Sequence, residues 1–482
     1  MRQGKQSQSE QRVTTIPSIG RRKYLTATGT SVAALSAGCL GGGSDAIEIS
    51  MLTDRNSPAE QEALESAFDE WAETIDANVT RSFQYAAFDE ALEELISLIS
   101  TGNDPDLVYM GWDGIGLLAA GGAFKDVSWY MEDHMENIHP QFIENTNYRD
   151  EVTVIPGQTD INVQWYRQDI YDQAGIEPAT TYEEHISNME ALEDVVPDGM
   201  APINVPANPD SSSTYQMAMT YETSNDAYIM RRESLDEPPE VIADEEPYRD
   251  RLIETYSHLT ELYQNYSPDT IDQSWGDIIQ IYVTENAAKT IYPGRLLSQV
   301  NQDNPDILEH TSFAEYPQAS GDASYNGISF LAGFGVPERT QDEELVLDFV
   351  DYFFDSDAYI DFLHSVPLNA IPTNLDLLDD DRYLDNEVVQ AQEEYVEYAK
   401  EIFDEGTQYH YPDYTALPEN GEAITPYMRN LVDGNNRMPR MVGSALQERV
   451  SVEEAIDTAA DELRDAIPQF EQQVEELQQQ FG

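Results

Sequence analysis

Strand patterns and amphipathic helix patterns alternate along this chain, and that alternation constrains most strongly what it can fold into. In "AIEISMLTD", residues 46–54, alternate residues are apolar, which predicts a half-buried strand. A capping-box pattern with proline at the first helical position follows at 57–60, and apolar residues then recur at helical spacing. "NVTRSFQY" and "DLVYM" predict two more strands, separated by a helix from Phe88 to near Gly102. This order predicts an α/β fold of βαβ units, with mostly parallel sheets flanked by helices.

The same alternation returns after residue 150. "VTVIP" and "INVQWYR" predict strands, and a helix capped by Thr181 and Glu184 follows them. We predict further helices near 248–266, near 341–355 and from Ser451 onward, and a proline- and acid-rich surface loop or loop–helix insertion at 232–247. The chain has 482 residues and exceeds a single usual hydrophobic core, so we expect two lobes or domains.

The charge of the chain is strongly unbalanced. It holds 92 acidic and 25 basic residues, for a net charge of −67. Residues 1–38 contain six of the basic and one of the acidic residues, so the remainder carries −72. At about 1 M ionic strength the Debye length falls to about 3 Å, and we interpret the charge as adaptation to high salt. A hydrophobic content of 40% argues against intrinsic disorder, and the lack of clustered Lys and Arg argues against nucleic-acid binding.

The N-terminal stretch "GRRKYLTATGTSVAALSAGCLGGGSD" contains the single cysteine of the chain. Arg21 and Arg22 precede about 13 small or mildly apolar residues, too few to span a bilayer. The stretch resembles a twin-arginine export signal followed by a lipoprotein box, which implies that Cys39 becomes the lipidated first residue. We therefore expect a signal at 1–38 and a glycine-rich tether at 39–45; a disordered tail with a buried free cysteine is the alternative.

Three longer segments carry a resemblance to a known family. They are "EALEELISLISTGNDPDLVYMGWDGIGLLAAGGAFKDV", "VTVIPGQTDINVQWYRQDIYDQAGIEPATTYEEH" and "ISFLAGFGVPERTQDEELVLDFVDYFFDSDAYIDFLHSVPLNAIPTN". In this order they resemble the extracellular solute-binding proteins of ABC importers, the large family that includes the maltose-binding proteins. "SVEEAIDTAADEL" resembles the C-terminal helix of that family.

The resemblance implies two α/β lobes that close on a ligand in the cleft between them. The order of segments implies a first lobe of 45–142 plus 317–365 and a second lobe of 147–315 plus 366–482. It also implies a monomeric receptor without cofactor or metal, lipid-anchored on the outer face of the cytoplasmic membrane after export in folded form. Its expected partners are a small solute, most simply a sugar or oligosaccharide, and an ABC permease with its ATPase.

A neutral sugar needs carboxylates and amides for its hydroxyls and aromatic faces for stacking, and the chain offers both kinds of group. Tyr166 of "QWYRQD" has the position of a tyrosine that lines the cleft in the family, while Trp165 should face the core because strand neighbours point to opposite sides. "AAKTIYPGRLL" resembles a glycine and tryptophan turn that stacks on sugar in the family, but here the turn carries Tyr292 and Arg295 and no tryptophan. The other candidates are Asp54, Arg55, Trp112, Asp113, Tyr292, Tyr215, Trp275 and Phe334, the last three being candidates for the core as well.

Several alternatives stay open at this point. An arginine such as Arg295 binds carboxylates or phosphates bidentately, so a receptor for a polyol, for a phosphorylated or acidic solute, or for a peptide is the alternative. An extracellular glycan-acting enzyme is a further one, because paired carboxylates hydrolyse glycosides. The sequence lacks the nucleophile-elbow, zinc-protease and phosphate-loop motifs. His134 and His139 lie five residues apart and would point to different faces of a helix, so we expect surface histidines there.

Overall fold

The computed structural model describes residues 46–135, 137–149, 151–232, 237–268, 272–319, 329–404, 415–416, 431 and 436–481. The strands are β1 Ile47–Thr53, β2 Val79–Tyr85, β3 Leu107–Gly111, β4 Asn147–Tyr148, β5 Glu151–Val152, β6 Ile155–Ile161, β7 Val163–Arg167, β8 Met230–Arg231, β9 Glu240–Val241, β10 Lys289–Tyr292, β11 Thr311–Ala314, β12 Ser329–Gly335, β13 Ile371–Pro372 and β14 Thr415–Ala416.

The helices alternate with these strands for most of the chain. They are α1 Pro58–Thr74, α2 Phe88–Thr101, α3 Trp112–Ala120, α4 Ser128–His134, α5 Pro140–Asn145, α6 Gln168–Ala174, α7 Tyr182–Glu193, α8 Ser212–Ser224, α9 Tyr248–Tyr266, α10 Trp275–Val283, α11 Arg295–Asp303, α12 Glu343–Asp355, α13 Asp357–Ser365, α14 Asp381–Leu384, α15 Glu387–Ala391, α16 Glu393–Asp404, α17 Arg437–Leu446 and α18 Val452–Phe481. Short 3-10 helices span Pro305–His310 and Leu375–Asp379.

The helix termini follow the signals in the sequence. The side chain of Ser57 accepts a hydrogen bond from the backbone N–H of Glu60, and the Glu60 carboxylate accepts one from the backbone N–H of Ser57, so the predicted capping box is confirmed. Helix α2 ends at Gly102, whose φ of 72° is in the left-handed region that glycine adopts without strain. Thr181 accepts from the backbone N–H of Glu184 at the start of α7, as predicted.

Six strands form the larger sheet, in the order β13-β6-β12-β3-β1-β2. Strand β1 pairs in parallel with β2 and β3, as the βαβ prediction requires. Strand β12 pairs antiparallel with both β3 and β6, and β13 pairs antiparallel with β6. We call this sheet, with α1, α2, α3, α12 and α13 packed on it or on one another, the first lobe.

Three strands form the smaller sheet, in the order β10-β7-β11, and both pairings are antiparallel. Single parallel bridges at Ala201 and Asn204 extend it beyond β10. Helix α10 packs on β10, while α6, α7, α8, α9 and α17 form the helical layers that continue from it. We call this sheet with these helices the second lobe. The chain passes from the first to the second lobe at Asn162, between β6 and β7.

Two details of the predicted strands are wrong. The parallel pairing expected for each lobe is present among β1, β2 and β3, but β12 returns from the second lobe, enters the larger sheet from its opposite end and pairs antiparallel. Both pairings of the smaller sheet are antiparallel, so the mostly parallel sheet expected there is not observed among the described strands. The strand predicted at "VTVIP" is interrupted, because β5 ends at Val152 and β6 begins at Ile155, and "INVQWYR" is divided at Asn162 between the two sheets. Strands β6 and β13 lie in the larger sheet, although the predicted second-lobe ranges include them; the lobe boundaries themselves stay predictions.

Candidate functional site

The first side of the site lies where the parallel strands β1 and β3 end. Asp54 and Arg55 follow β1 directly and are both buried. The Arg55 Nε donates to Asp54 Oδ1 at 2.7 Å, and the backbone N–H of Gly111, the last residue of β3, donates to Asp54 Oδ2 at 3.1 Å. Because the carboxyl ends of parallel strands share one edge of a sheet, Asp54 connects two strand ends there.

Glu60 brings a second carboxylate to this edge from the first turn of α1. Its side chain is 2% exposed. Burial alone would raise the pKa of Glu60, but the guanidinium groups of Arg295 and Arg55 and the hydrogen bonds from Ser57 lower it below its usual value. Burial likewise opposes the charge of Arg55, yet Asp54 and Glu60 raise its pKa above the usual range. Glu60 and Arg55 are therefore ionised at neutral pH.

The second side of the site lies at the end of β10 in the second lobe. A β-carbon added at Gly294 would lie 2.0 Å from the carbonyl oxygen of Leu368, so only glycine fits this turn. The turn places Arg295 at the first position of α11, and its Nη2 donates to Glu60 Oε1 at 2.7 Å. This ion pair joins the two lobes across the cleft.

Aromatic rings lie beside the ion pair. The Tyr292 and Trp275 rings meet edge-on with centroids 5.5 Å apart, and the Tyr292 hydroxyl donates to the carbonyl oxygen of Trp275 at 3.1 Å. The Trp275 ring also meets Phe88 of the first lobe, with centroids 6.2 Å apart. The Trp275 Nε1 donates to the Ser212 hydroxyl at 3.0 Å, which fixes the indole against the start of α8.

Asp160 adds a carboxylate at the floor of the cleft. It lies near the end of β6, two residues before the crossing at Asn162. Burial is the main cause of the raised pKa of Tyr292. The charge of Arg295 lowers this pKa and the charge of Asp160 raises it, so both charges act on the Tyr292 hydroxyl. The Asn162 side chain is buried, and neither its amide oxygen nor its nitrogen has a hydrogen-bond partner among the described residues.

The structure thus brings five of the sequence candidates together, along with residues that sequence reasoning missed. We call the assembled group the cleft cluster; it consists of Asp54, Arg55, Glu60, Phe88, Asp160, Ser212, Trp275, Tyr292 and Arg295. Trp112 and Asp113 follow β3 directly and begin α3, and their side chains lie outside the described residues, so their contact with a ligand stays a prediction.

Tyr166 lies elsewhere on the small sheet. It pairs with Lys289 on β10, three residues along β7 from the Val163–Tyr292 pair. Its ring packs on Tyr171 of α6, and its hydroxyl donates to the Gln168 side chain at 2.8 Å. The side chain is buried, so its contact with a ligand stays a prediction.

Three further aromatic residues, of which Tyr215 and Phe334 were site candidates, are buried in the interior. Trp165 points to the other face of β7 and packs on Phe313 and Tyr395, as predicted for a core residue. Tyr215 lies within α8, and its hydroxyl donates to Glu222 at 3.1 Å. Phe334 packs on Tyr109 in the core of the first lobe.

Four members of the cleft cluster were missed by sequence reasoning. Glu60 was identified only as a helix cap, and nothing in its local pattern indicates a partner in the other lobe. Phe88 begins the helix that follows β2, and this position after a strand end could have identified it as a candidate for the site. Asp160 is an acid inside an otherwise uncharged strand, and Ser212 belongs to a serine run at a helix start; both patterns are compatible with a site but common elsewhere.

Several other predictions concern residues without a place in this site. Arg21, Arg22 and Cys39 lie outside the described residues. Within the described ranges, His, Cys, Asp and Glu side chains do not gather in groups of three that could hold a metal ion. His134 is exposed and its Nδ1 lies 3.2 Å from Asp351, in keeping with the surface position predicted for it. Among the described helices, none is both long and apolar enough to cross a membrane.

Comparison with known proteins gives a consistent result. Residues 56–360 match the sequence model named bacterial extracellular solute-binding protein. The ABC transporter solute-binding protein of Thermotoga lettingae TMO, bound with α-D-tagatose, aligns with a TM-score of 0.66 at 17% identity over 88% of this chain and 99% of that chain. The corresponding protein of Agrobacterium radiobacter K84, in complex with ribitol, aligns with a TM-score of 0.68 at 14% identity over 88% and 100%. Maltose-bound T. maritima MalE3 aligns with a TM-score of 0.67 at 15% identity over 87% and 99%.

No curated protein sequence gives a significant match. At the identities of the solved structures, the likeness shows a common fold, and that fold has two lobes around a cleft. The predicted two-lobed α/β architecture is therefore confirmed.

Proposed function

The chain belongs to the bacterial extracellular solute-binding protein family, and from this premise we propose that it captures a sugar or an oligosaccharide between its lobes and delivers it to the permease of an ABC importer. The observation that carries the proposal is the cleft cluster, in which carboxylates, guanidinium groups and aromatic rings from both lobes meet at the strand ends. Ligands of open α/β sheets bind at such strand ends.

The chemistry of the cleft cluster suits a hydroxylated solute. Asp54 and Asp160 offer carboxylate oxygens that accept hydroxyl protons, and Arg295 offers N–H groups that donate to hydroxyl oxygens. The half-buried Trp275 offers the exposed part of its ring for the apolar side of a sugar, and the buried Tyr292 ring supports the indole by an edge-on contact. The three solved relatives described above carry tagatose, ribitol and maltose, which supports a carbohydrate or polyol for this chain as well.

Binding between two lobes also supports the receptor role. A ligand that contacts both lobes favours the closed form by its differential affinity for that form. Domain closure around a ligand presents a permease with a surface that the open form lacks. Two contacts join the lobes at this place. They are the ion pair of Glu60 with Arg295 and the ring contact of Phe88 with Trp275.

Thermal unfolding against a panel of neutral sugars and polyols in concentrated KCl tests the proposal. A ligand that binds only the native state raises the free energy of unfolding by mass action, by about 2.7 kcal/mol at a hundredfold excess over Kd. The thermal midpoint rises as a result. We expect at least one sugar or oligosaccharide to raise the midpoint and to be recovered unchanged after incubation. Turnover of the stabilising sugar would indicate an enzyme and contradict the receptor role.

Lipid anchoring and twin-arginine export are parts of the same proposal, supported by the sequence pattern at Arg21, Arg22 and Cys39. Replacing Cys39 with Ser removes the only thiol to which the lipid could be attached. We expect the variant to be released into the medium or to stay unprocessed. A processed Cys39→Ser protein that remains with the membrane fraction would refute the anchor.

A further inference from the structure

Arg295 lies in the turn that resembles the family's sugar-stacking turn but has no tryptophan, and its guanidinium is already engaged by an acid from the opposite lobe. We propose that Glu60 determines the specificity of the cleft: by holding Arg295 across the cleft, it makes the site accept neutral solutes and reject carboxylated or phosphorylated ones. This inference rests on the proposed function, because it names the charge class of the solute that the same cleft receives.

The position of Glu60 is fixed independently of any ligand. Its Oε2 accepts the backbone N–H of Ser57 at 3.1 Å as part of the helix cap, and its Oε1 accepts Arg295 Nη2 at 2.7 Å. The carboxylate is 2% exposed, whereas the Arg295 side chain is 30% exposed. The acid is therefore the rigid partner, and Arg295 has further N–H groups besides the one that Glu60 accepts.

The charges of the cleft cluster leave no cation for an anionic solute. Arg55 is paired with Asp54 at 2.7 Å and Arg295 with Glu60 at 2.7 Å, so two guanidinium groups meet two carboxylates. Asp160 adds a further acid near Tyr292. A carboxylate or phosphate on the solute would have to displace Glu60 from Arg295 and leave a buried carboxylate without its partner, next to a second negative charge.

A neutral hydroxyl meets no such conflict. It donates to a carboxylate and accepts from a guanidinium N–H without separating the pair, because each carboxylate oxygen has more than one acceptor site and arginine has five N–H donors. Discrimination of this kind works by an unfavourable element against the wrong ligand rather than by an extra contact to the right one. Glu60 is that element.

Glu60→Gln is the variant that separates charge from structure. The glutamine side chain keeps the size of Glu60 and an oxygen to accept the Ser57 N–H, but it removes the negative charge opposite Arg295. Glu62→Gln is the matched control, because Glu62 lies two residues further along α1, is exposed, and loses the same charge. Glu60→Ser serves as a second neutral variant if Glu60→Gln fails to fold.

Affinities are measured by titration calorimetry in concentrated KCl for D-glucose, maltose, D-tagatose and ribitol as neutral probes and for D-glucuronate and D-glucose 6-phosphate as anionic probes. We expect the wild type and Glu62→Gln to bind a neutral probe about a hundredfold or more tightly than the anionic ones. In Glu60→Gln, the affinity for the anionic probes should rise, so that the ratio of neutral to anionic affinity falls by about tenfold or more. The double variant Glu60→Gln/Arg295→Gln should lose the gain, since it removes the freed cation.

The outcomes distinguish the two proposals. A wild type that binds a neutral probe, together with a Glu60→Gln variant that gains nothing for the anions, would overturn the role of Glu60 alone. A wild type that binds an anionic probe in preference to every neutral one would overturn both the role of Glu60 and the neutral-sugar part of the proposed function. A gain in anion affinity that persists in the double variant would likewise rule out Arg295 as the group that Glu60 holds.

Discussion

Trp275 carries the largest ring of the cleft cluster, and its two ring neighbours come from opposite lobes. Phe88 belongs to the first lobe and Tyr292 to the second, and both meet the indole edge-on. The Ser212 hydroxyl accepts from the indole N–H and holds the ring in place. A ring fixed on three sides offers its remaining surface to a ligand at little entropic cost.

Trp275→Ala should weaken the binding of a stabilising sugar by about tenfold, since a ring contact contributes about 0.5–1.5 kcal/mol beyond its buried area and 1.4 kcal/mol corresponds to tenfold. The measurement is calorimetric titration of the variant against the wild type. Trp129→Ala is the matched control, because Trp129 is 49% exposed on α4 and should leave the affinity unchanged. Equal affinities for the wild type and Trp275→Ala would remove Trp275 from the ligand site.

Lys289, one of three lysines after residue 38, lies in the core of the second lobe and is 1% exposed. Its Nζ lies 3.1 Å from His185 Nε2, and His185 Nδ1 lies 3.0 Å from His258 Nε2. Burial lowers the pKa of Lys289 from 10.5 to about 7. Burial and the charge of Lys289 lower the pKa of His258 from 6.5 to about 3. The folded protein therefore disfavours protons that the unfolded chain binds.

This cluster predicts a rise in stability with pH between about 7 and 10.5. In that window the unfolded chain keeps the Lys289 proton and the native protein has released it, so the free energy of unfolding rises by up to about 1.4 kcal/mol per pH unit. Denaturant unfolding of the wild type and Lys289→Met from pH 7 to pH 10 measures the effect. We expect Lys289→Met to be the more stable protein at pH 7 and its advantage to shrink with rising pH. A constant difference would contradict the lowered pKa.

Helix α18 packs on both lobes along its length. Its first half packs on α17 and α9 in the second lobe. Beyond Pro468, Leu477 packs against Gly121 at the end of α3, and the Phe481 ring lies under the guanidinium of Arg339 with 4.6 Å between Arg339 Cζ and the ring centroid. Proline inside a helix removes one backbone hydrogen bond, which makes Pro468 the weakest point between the two halves.

The contact of α18 with α3 requires glycine at position 121. A β-carbon there would lie 2.4 Å from the Leu477 β-carbon, closer than two carbons approach. Gly121→Ala should therefore lower the free energy of unfolding by about 1–3 kcal/mol, as overpacking does. Gly276→Ala is the control, since a β-carbon there would lie 4.0 Å from the Ser274 hydroxyl, an ordinary contact distance, and should cause no loss of stability. Denaturant midpoints of both variants decide the matter, and an unchanged midpoint for Gly121→Ala would mean that α18 does not pack there.

On the scale of the whole molecule, electrostatic self-repulsion dominates. The net charge is −67, and many of the described ion pairs lie at the surface, where each contributes about 0–1 kcal/mol. Such pairs do not offset the repulsion among the surplus acids. Screening by salt does, because the Debye length shortens from about 10 Å at 0.1 M to about 3 Å at 1 M.

Stability should therefore rise with salt. We expect the thermal midpoint in 2 M KCl to exceed that in 0.1 M KCl by several degrees, on the order of 2–4 °C for each kcal/mol gained. Potassium chloride is preferable to a sulfate salt, because sulfate also strengthens hydrophobic burial and would confound the result. A midpoint that stays level or falls between the two concentrations would contradict the high-salt interpretation.

The sequence by itself determined the local elements and the general class of the molecule. The capping box at Ser57 and Glu60, the end of α2 at Gly102 and the span of α9 depend on neighbours a few residues away, and the order of these elements along the chain identified the family. The charge and the number of lobes follow from composition and length. The sequence also predicted that Asp54 and Arg55 lie near the site, because they follow β1 and ligands of α/β sheets bind at strand ends.

The sequence did not indicate which distant residues contact one another in the folded protein. Glu60 meets Arg295 235 residues further along the chain, and the single strand expected at "INVQWYR" is divided at Asn162 because its two halves join different sheets. Only the folded structure shows that the Tyr166 ring packs on Tyr171 of α6 and that Arg295 is paired with the Glu60 carboxylate. Hydrophobic periodicity records which face of an element is buried but not which distant element covers it. Sheet order and lobe closure supply that information, and they set the charge that a ligand meets in the cleft.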